Sequence, residues 1–313
     1  MAAIPARAQP TVAAIYKSYE DAQDNGYRYH LGASLIGDTC DRSLFYSFRW
    51  ATKRAFEGRM LRLFDTGNKE EARFVADLRA AGVEVWDTDP DNPGKQIGVR
   101  DDFGHFGGSL DAVLLGLKEA PKTAHVGEFK THGEKSFLAL KKDGVQKSKP
   151  RHYAQMQIYM HLLNLTRAFY LAKNKNTDEL YSERVNYDLE FSTRMVARAN
   201  RIIQSSKPPE KISQDPSWFE CRFCDHHAVC HGDAVPDRHC RSCMHSTPVE
   251  GGEWHCAAMD KLIDRETQEK GCSLHLYNPS LVHGEQTDAG IDIPTGKPFV
   301  RYSMADGSEW TDG

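Results

Sequence analysis

The sequence predicts an α/β fold with a small mixed sheet flanked by helices, followed by a C-terminal cysteine-rich module. Segments with helical spacing of apolar residues alternate with short runs rich in β-branched and aromatic residues. Seven of the eight cysteines lie in the last third of the chain, and two pairs have Cys-x-x-Cys spacing. The first observation predicts the mixed core, and the second predicts a module held together by metal.

Composition and charge define the broad class of protein. With 40% hydrophobic and 27% charged residues, the chain is typical of a soluble globular protein. Its net charge of −4 gives no overall indication of nucleic-acid binding. Residues 1–20 contain no apolar run long enough for a signal peptide or a membrane span, so we expect a cytoplasmic protein without membrane contact. In that reducing compartment, clustered thiols indicate metal binding rather than disulfides.

Apolar residues at helical spacing predict four helices. The first follows a glycine-containing loop and begins near Asp38 or Thr39. The second ends at Gly82, a residue typical of helix C-caps. The third is a long amphipathic helix that follows Pro150, and the fourth stops before a Lys-Pro-Pro-Glu segment. The last three helices cover residues 67–81, 151–165 and 191–206.

Five short apolar segments predict strands. They cover residues 83–89, 104–117, 123–132, 166–174 and 180–188. The order of helix, three strands, helix and further strands indicates a core with a small mixed sheet. Near the C-terminus, the segment Met-Ala-Asp-Gly-Ser-Glu-Trp predicts a hairpin.

These elements divide the chain into three predicted parts. Residues 1–214 form the core with an N-terminal helical region. Residues 215–283 form the cysteine-rich module, and residues 284–313 form a short tail that contains the hairpin.

Two acids and a lysine occur within apolar strand segments. Asp111 lies among leucine, alanine and valine, while Glu128 and Lys130 flank Phe129. If the two strands pair as a hairpin, Asp111 and Glu128 approach each other and Lys130 faces the same side as Glu128. Two close carboxylates need a proton, a cation or water between them, and Mg²⁺ suits oxygen ligands. The set indicates metal-assisted phosphodiester hydrolysis; the alternative is a buried structural ion pair.

This arrangement resembles the PD-(D/E)XK nuclease superfamily, whose hallmark is an Asp on one core strand and Glu-x-Lys on the next. The RecB-like branch of that superfamily adds a glutamine and, four residues later, a tyrosine on the following helix, as in Gln155 and Tyr159. It also has an acid or histidine four residues after a glycine on an earlier helix. Glu71 matches this position after Gly67, with Glu70 as the substitute. The resemblance implies a restriction-endonuclease-like core.

The resemblance also implies a role for each residue. The acids would hold Mg²⁺ or Mn²⁺, and the lysine would be catalytic. Gln155 would orient the lysine or the scissile phosphate. Tyr159 would pack behind it or touch DNA; the alternative is an ordinary core aromatic. The implied catalytic residues are Lys130, Glu128, Asp111, Gln155 and Tyr159, and the implied metal ligands are Asp111, Glu128 and Glu71.

The first group of cysteines contains three closely spaced thiols, so a fourth ligand is expected from elsewhere. Cys40 is the one remote cysteine, and four thiolates bind an iron–sulfur cluster. The pattern resembles the CRISPR-associated, RecB-like exonucleases, which implies a 4Fe–4S cluster on Cys40, Cys221, Cys224 and Cys230. The alternative is a zinc ion with His226, His227 or His231 as the fourth ligand and Cys40 as an ordinary buried thiol.

The second group of cysteines has the number of sulfurs that a structural zinc ion requires. Four thiolates complete a tetrahedral Zn²⁺ site. The predicted ligands are Cys240, Cys243, Cys256 and Cys272. A histidine could replace one thiolate, the candidates being His245, His255 and His275. The other alternative is that several of these thiols are free and buried.

The implied substrate is DNA, with free ends and often single-stranded. Two basic runs, at residues 49–62 and 141–152, become relevant beside a nuclease site. Four aromatic residues near the first run are candidates to line a strand channel by stacking: Phe45, Tyr46, Phe48 and Trp50. The alternative is a helix packed on the core.

The resemblance implies a divalent-metal-dependent DNA exonuclease that hydrolyses phosphodiester bonds, and two other classes of function are the alternatives. One is a DNA-binding partner in recombination or acquisition with weak or no nuclease activity, and the presence of every catalytic residue type argues against it. The other is an electron carrier or redox sensor built on the cysteines. That function would leave the acid–lysine set without a purpose, and no flavin or dinucleotide motif accompanies it.

Overall fold

The computed structural model describes residues 9–23 and 26–313. Within them the α-helices are α1 (Pro10–Asp21), α2 (Asp41–Phe48), α3 (Gly58–Ala80), α4 (Glu134–Ser148), α5 (Pro150–Leu163), α6 (Leu189–Gln204), α7 (Phe219–Arg222), α8 (His227–His231) and α9 (Arg265–Lys270). Short 3₁₀ turns are η1 (Cys240–Ser242), η2 (Glu250–Gly252) and η3 (Pro279–Leu281). The strands are β1 (Leu31–Gly32), β2 (Glu84–Trp86), β3 (Gly98–Arg100), β4 (Phe106–Ser109), β5 (Ala112–Leu115), β6 (His125–His132), β7 (Arg167–Asn174), β8 (Leu180–Asn186), β9 (Ser246–Pro248), β10 (Trp254–Cys256), β11 (Lys261–Ile263), β12 (Gly284–Ile291), β13 (Pro298–Met304) and β14 (Glu309–Asp312).

A five-stranded mixed sheet forms the centre of the core. Its strand order is β2–β5–β6–β7–β8, and only the β6–β7 pair is parallel. Helices α4, α5 and α6 connect or follow these strands, as a parallel pair requires a crossover. The α/β fold with a small mixed sheet is therefore confirmed. The predicted pairing of the two acid-bearing segments is also present, with Ala112 opposite Gly127.

The predicted strand over residues 104–117 is in fact two strands in two sheets. Strand β4 joins β1 and β3 in a separate three-stranded sheet, while β5 belongs to the central sheet. The chain changes sheets at Leu110, whose N–H donates to the carbonyl of Ile97, and at Asp111. Burial does not mark this break, because buried residues occur on both sides of it.

Two helices differ from the sequence prediction. Helix α3 begins nine residues earlier than expected, because the Glu20 carboxylate of α1 accepts the N–H of Gly58 at 2.8 Å. Helix α4 was not predicted, since its buried Phe137 and Leu140 are interspersed with lysines. It contains a kink at Gly144, which has a φ of 72°, a value that glycine adopts easily.

The cysteine-rich segment packs directly on the core. Trp254 of β10 is fully buried, and its ring lies 5.4 Å from that of Phe48 in α2. His105, beside β4, contacts the carbonyls of Val249 and Glu253 through Nε2, at 2.8 and 3.1 Å. Residues on both sides of residue 214 share one apolar cluster. The division of the chain into two parts at this residue remains a prediction.

The C-terminal tail forms an antiparallel sheet of β12, β13 and β14. The turn between β13 and β14 is the predicted hairpin, with Tyr302 paired to Trp310. Among the described residues, no helix is both long and apolar enough to cross a membrane.

We predict that Trp254→Ala destabilises the whole protein by about 3–5 kcal/mol, because it removes a fully buried ring. Chemical unfolding monitored by circular dichroism measures this loss. The matched control is Trp86→Ala, at a position 46% exposed, which should cost under about 1 kcal/mol. Two separate unfolding transitions, of which only one responds to Trp254→Ala, would contradict a shared core.

Candidate active site

Asp111 lies at the break between β4 and β5 and connects this point of the chain to β6. Its Oδ2 accepts a hydrogen bond from the backbone N–H of Phe129 at 2.7 Å and a second from Lys130 Nζ at 3.3 Å. The carboxylate thus takes the place of a backbone carbonyl at the edge of β6. This contact fixes the side chain of Asp111 against the strand that carries the other two charged residues.

Glu128 is fully buried beside Asp111. Its Oε1 pairs with Lys130 Nζ at 2.6 Å, whereas its Oε2 is buried and has no hydrogen-bond partner within the described part of the chain. Burial raises the pKa of Glu128 to about 7, and the nearby Asp111 adds to this shift, although Lys130 opposes it. Buried oxygens without partners are costly, so this carboxylate is suited to receive a further positive ligand.

Lys130 lies between the two acids. Besides the carboxylates, its Nζ donates to the carbonyl of Phe129 at 3.0 Å. Burial opposes the charge, but the carboxylates of Glu128 and Asp111 outweigh it and raise the pKa of the ammonium. A structural ion pair is therefore present, as the alternative interpretation requires. One lysine nevertheless balances only one of the two carboxylates when both are ionised.

Of the two candidate acids on α3, Glu71 is the one whose charge interacts with the site. Burial raises its pKa, and the charge of Asp111 raises it further. Its Oε1 accepts a hydrogen bond from Gln96 at 2.8 Å. Glu70 instead forms a salt bridge with Lys173 at 2.9 Å. The arrangement favours Glu71 as the third acid.

Gln155 and Tyr159 lie on one face of α5, buried against β4. The hydroxyl of Tyr159 donates to the carbonyl of Ser109 at 2.8 Å, and Gln155 Nε2 donates to that hydroxyl at 3.4 Å. Tyr159 also packs so closely on Gly108 that a Cβ there would lie 2.4 Å from its Oη. Tyr159 is thus a buried aromatic that anchors the strand end two residues before Asp111.

Beside Lys130 lies a hydrogen-bonded group of one tyrosine and two histidines that was not predicted from the sequence. The hydroxyl of Tyr170 lies 2.8 Å from His132 Nε2 and 2.8 Å from His152 Nδ1. Because a hydroxyl has one proton, at most one imidazole can accept from it, so at least one of the two donates its ring N–H to the hydroxyl oxygen. Burial lowers the pKa of His132 to about 4 and that of His152 to about 3, so both are neutral. The strand period of two, from Lys130 to His132, was the available signal.

The acids of this site fit a hard divalent cation. Asp111, Glu128 and Glu71 offer oxygen ligands, and the buried Oε2 of Glu128 has no hydrogen-bond partner in the described residues. In residues 9–23 and 26–313, however, no three His, Cys, Asp or Glu side chains are already arranged as a finished metal site. The three carboxylates nevertheless match the preference of Mg²⁺ and Mn²⁺ for oxygen ligands.

The two groups of cysteines line two different cavities. All eight cysteines are free thiols. The first cavity, of about 300 Å³, is lined by Cys40, Cys221, Cys224 and Cys230, together with His226, His227 and His231. The second, of about 10 Å³, is lined by Cys240, Cys243, Cys256 and Cys272, together with His245 and His275. His255 instead contacts Asp260 at 3.3 Å.

The aromatic residues proposed to line a strand channel are buried. Phe45, Tyr46, Phe48 and Trp50 are at most 3% exposed, as the alternative of a helix packed on the core predicted. Their apolar rings face inward because α2 packs between the core and the cysteine-rich segment. The half-buried Tyr27 covers one of these rings. The ring of Tyr27 stacks on that of Trp50 at 4.4 Å, and Lys53 Nζ lies 5.3 Å from the Tyr27 ring centre.

These rings border a groove of about 320 Å³, the basic groove. Its charged members Arg28, Lys53 and Arg54 are exposed. The groove includes Leu31 of β1, which pairs with β4. It is therefore attached to the same strand that leads into Asp111.

Comparison with known proteins places this chain in a family. Solved structures similar to it include SSO0001, with 15% identity, a TM-score of 0.41 and coverage of 73% of this chain and 99% of that chain. They also include an alkaline exonuclease, LHK-Exo, from Laribacter hongkongensis, with 12% identity, a TM-score of 0.39 and coverage of 59% and 90%. No curated protein matched. A model of the PD-(D/E)XK nuclease superfamily matches residues 15–231, more than half of the chain, and the protein belongs to that superfamily.

Proposed function

We propose that this protein is a Mg²⁺- or Mn²⁺-dependent deoxyribonuclease. The observation that carries the proposal is the fully buried Glu128, which lies beside a second acid and a lysine and keeps one carboxylate oxygen, Oε2, without a hydrogen-bond partner in the described residues. Membership of a nuclease superfamily supports the same conclusion. A bound divalent cation would supply Lewis-acid activation of the phosphate and of an attacking water.

The chain itself would supply position and charge. Asp111, Glu128 and Glu71 would hold the cation. Lys130, fixed between the first two acids, would orient water and stabilise negative charge that develops on the phosphate. Tyr159, hydrogen-bonded to Gln155, would hold the end of β4 so that Asp111 keeps its position.

We infer that the substrate is DNA, cleaved from free ends and on single strands. The basic groove supports this inference, because it combines the half-buried ring of Tyr27 with exposed cations. Base stacking and phosphate contacts suit strands of any sequence. In this proposal the DNA strand runs from the basic groove along β4 to the acids Asp111, Glu128 and Glu71.

We also propose that a 4Fe–4S cluster occupies the first cysteine cavity. Its support is that four thiols from distant parts of the chain line one cavity of about 300 Å³. Cys40 is the N-cap of α2, whereas the other three thiols come from α7 and α8 or the turn between them. The cluster would therefore fasten the start of the core to the segment that follows it.

A zinc ion is proposed for the second cysteine cavity. Four thiols suffice for tetrahedral Zn²⁺, and the small cavity of about 10 Å³ suits one ion rather than a cluster. Backbone groups of His245 and Leu276 hydrogen-bond to the sulfur of Cys243, although burial raises the pKa of this thiol.

We predict that replacing Asp111, Glu128 or Lys130 by alanine abolishes cleavage, a loss of at least about 100-fold. Degradation of DNA labelled at its 5′ or 3′ end, single-stranded or duplex, measures the loss and gives the polarity. The fold should persist, as circular dichroism can verify. Full activity in any of the three variants would refute this assignment.

Glu71→Ala should weaken Mn²⁺ binding by about tenfold, because it removes an acid that interacts with Asp111. Calorimetric titration with Mn²⁺ measures the affinity. The matched control is Glu70→Ala, which removes the neighbouring acid paired with Lys173 and should leave Mn²⁺ affinity unchanged. Equal losses in the two variants would argue against Glu71 as a ligand.

Cys40→Ala should bleach the brown colour of anaerobically purified protein and lower its iron content. Visible absorption and elemental analysis measure both. Cys272→Ala is the control, since this thiol lines the other cavity and its loss should leave the colour intact. An unchanged spectrum for Cys40→Ala would show that Cys40 is not a cluster ligand.

A further inference from the structure

Two arginines are buried without an acid partner in the described residues. Arg49 is 3% exposed and Arg241 is 1% exposed. All of their hydrogen-bond acceptors are uncharged: the carbonyls of Ser246 and Ser205 for Arg49, and the carbonyls of Phe48 and Tyr29 and the amide of Gln268 for Arg241. Burial of a cation without a counter-charge costs several kcal/mol.

The two cations also lie close to each other. The guanidinium carbons of Arg49 and Arg241 are 5.0 and 4.7 Å from the ring centre of Trp254. Cation–π contact offsets part of the burial cost but does not neutralise two like charges that share one ring. An anion nearby would therefore stabilise the pair.

The second group of cysteines can provide that anion. Arg49 donates to the carbonyl of Ser246 at 3.2 Å, and Ser246 pairs with Cys256 across the β9–β10 hairpin. Arg241 lies within the turn between Cys240 and Cys243. Burial lowers the pKa of Arg49, and the thiol of Cys243 is the neighbouring ionisable group that opposes this shift.

We propose that Arg49 and Arg241 are the buried counter-cations of a metal tetrathiolate on Cys240, Cys243, Cys256 and Cys272. The proposal rests on the zinc site proposed above. A divalent zinc ion with four thiolates carries a net charge of two minus, which two guanidinium groups neutralise. Four neutral thiols would leave both arginines without compensation.

This charge pairing would link the second metal site to the core. Arg49 is the C-cap of α2, and Cys40 is the N-cap of the same helix. Both ends of α2 would then be fixed by metal centres, one through a thiolate ligand and the other through a counter-cation. Loss of zinc would destabilise the core helix as well as the C-terminal segment.

The test compares Arg49→Gln in two backgrounds of the full-length protein, with four cysteines intact and with Cys256→Ser and Cys272→Ser. Gln keeps a donor for the Ser246 carbonyl but removes the charge. With zinc bound, the substitution should lower the melting temperature and weaken zinc binding at least tenfold in chelator competition. In the background without zinc, the same substitution should raise the melting temperature, because it removes an uncompensated buried charge.

Two controls separate charge from packing. Arg49→Lys keeps the charge and should retain zinc affinity within about threefold. Arg198→Gln removes an arginine paired with Asp41 and should lower the melting temperature equally in both backgrounds. Equal destabilisation by Arg49→Gln in both backgrounds, or equal zinc loss in the Lys and Gln variants, would overturn the counter-cation role. If protein with all four cysteines contained no zinc, the zinc site itself would be overturned. None of these results bears on DNA cleavage.

Discussion

The hydrogen bond from the Phe129 N–H to the Asp111 carboxylate is the contact on which the site depends. It lets the chain leave one sheet and enter another without an unpaired N–H at the edge of β6. It also brings Asp111 against Glu128 and Lys130, which alternate on that strand. The Asp111 carboxylate thus replaces a backbone hydrogen-bond acceptor and also forms part of the candidate site. Any fold that placed β4 and β5 in one sheet would lose this arrangement.

Buried charge imbalance occurs at two places with opposite sign. At the sheet, two carboxylates share one lysine, and Glu128 Oε2 has no hydrogen-bond partner in the described residues. Beside Trp254, two guanidinium groups have only uncharged acceptors in the described part of the chain. Folding tolerates such groups when a ligand of opposite charge completes them. The same physical argument therefore indicates a cation at the first place and an anionic metal–thiolate centre at the second.

Helix α5 organises the approach to the acids. Its inward face carries Gln155 and Tyr159 toward β4, and His152 toward Tyr170 and His132. The neutral imidazoles add no positive charge next to Lys130. The lysine therefore remains the cation that the acids hold in place.

The mixed core, the candidate triplet of Asp111, Glu128 and Lys130 and the two groups of thiols could be predicted from the sequence, because strand alternation, helical spacing and cysteine spacing are local properties. The sequence could not predict the sheet change at Asp111, since buried residues lie on both sides of it. Nor could it show that the aromatic residues of α2 pack in the core instead of lining a channel for DNA. It also could not show that Glu20 of α1 caps the start of α3, or that Arg49 lies against the ring of Trp254. Those contacts join residues distant in the chain, and only tertiary packing selects them.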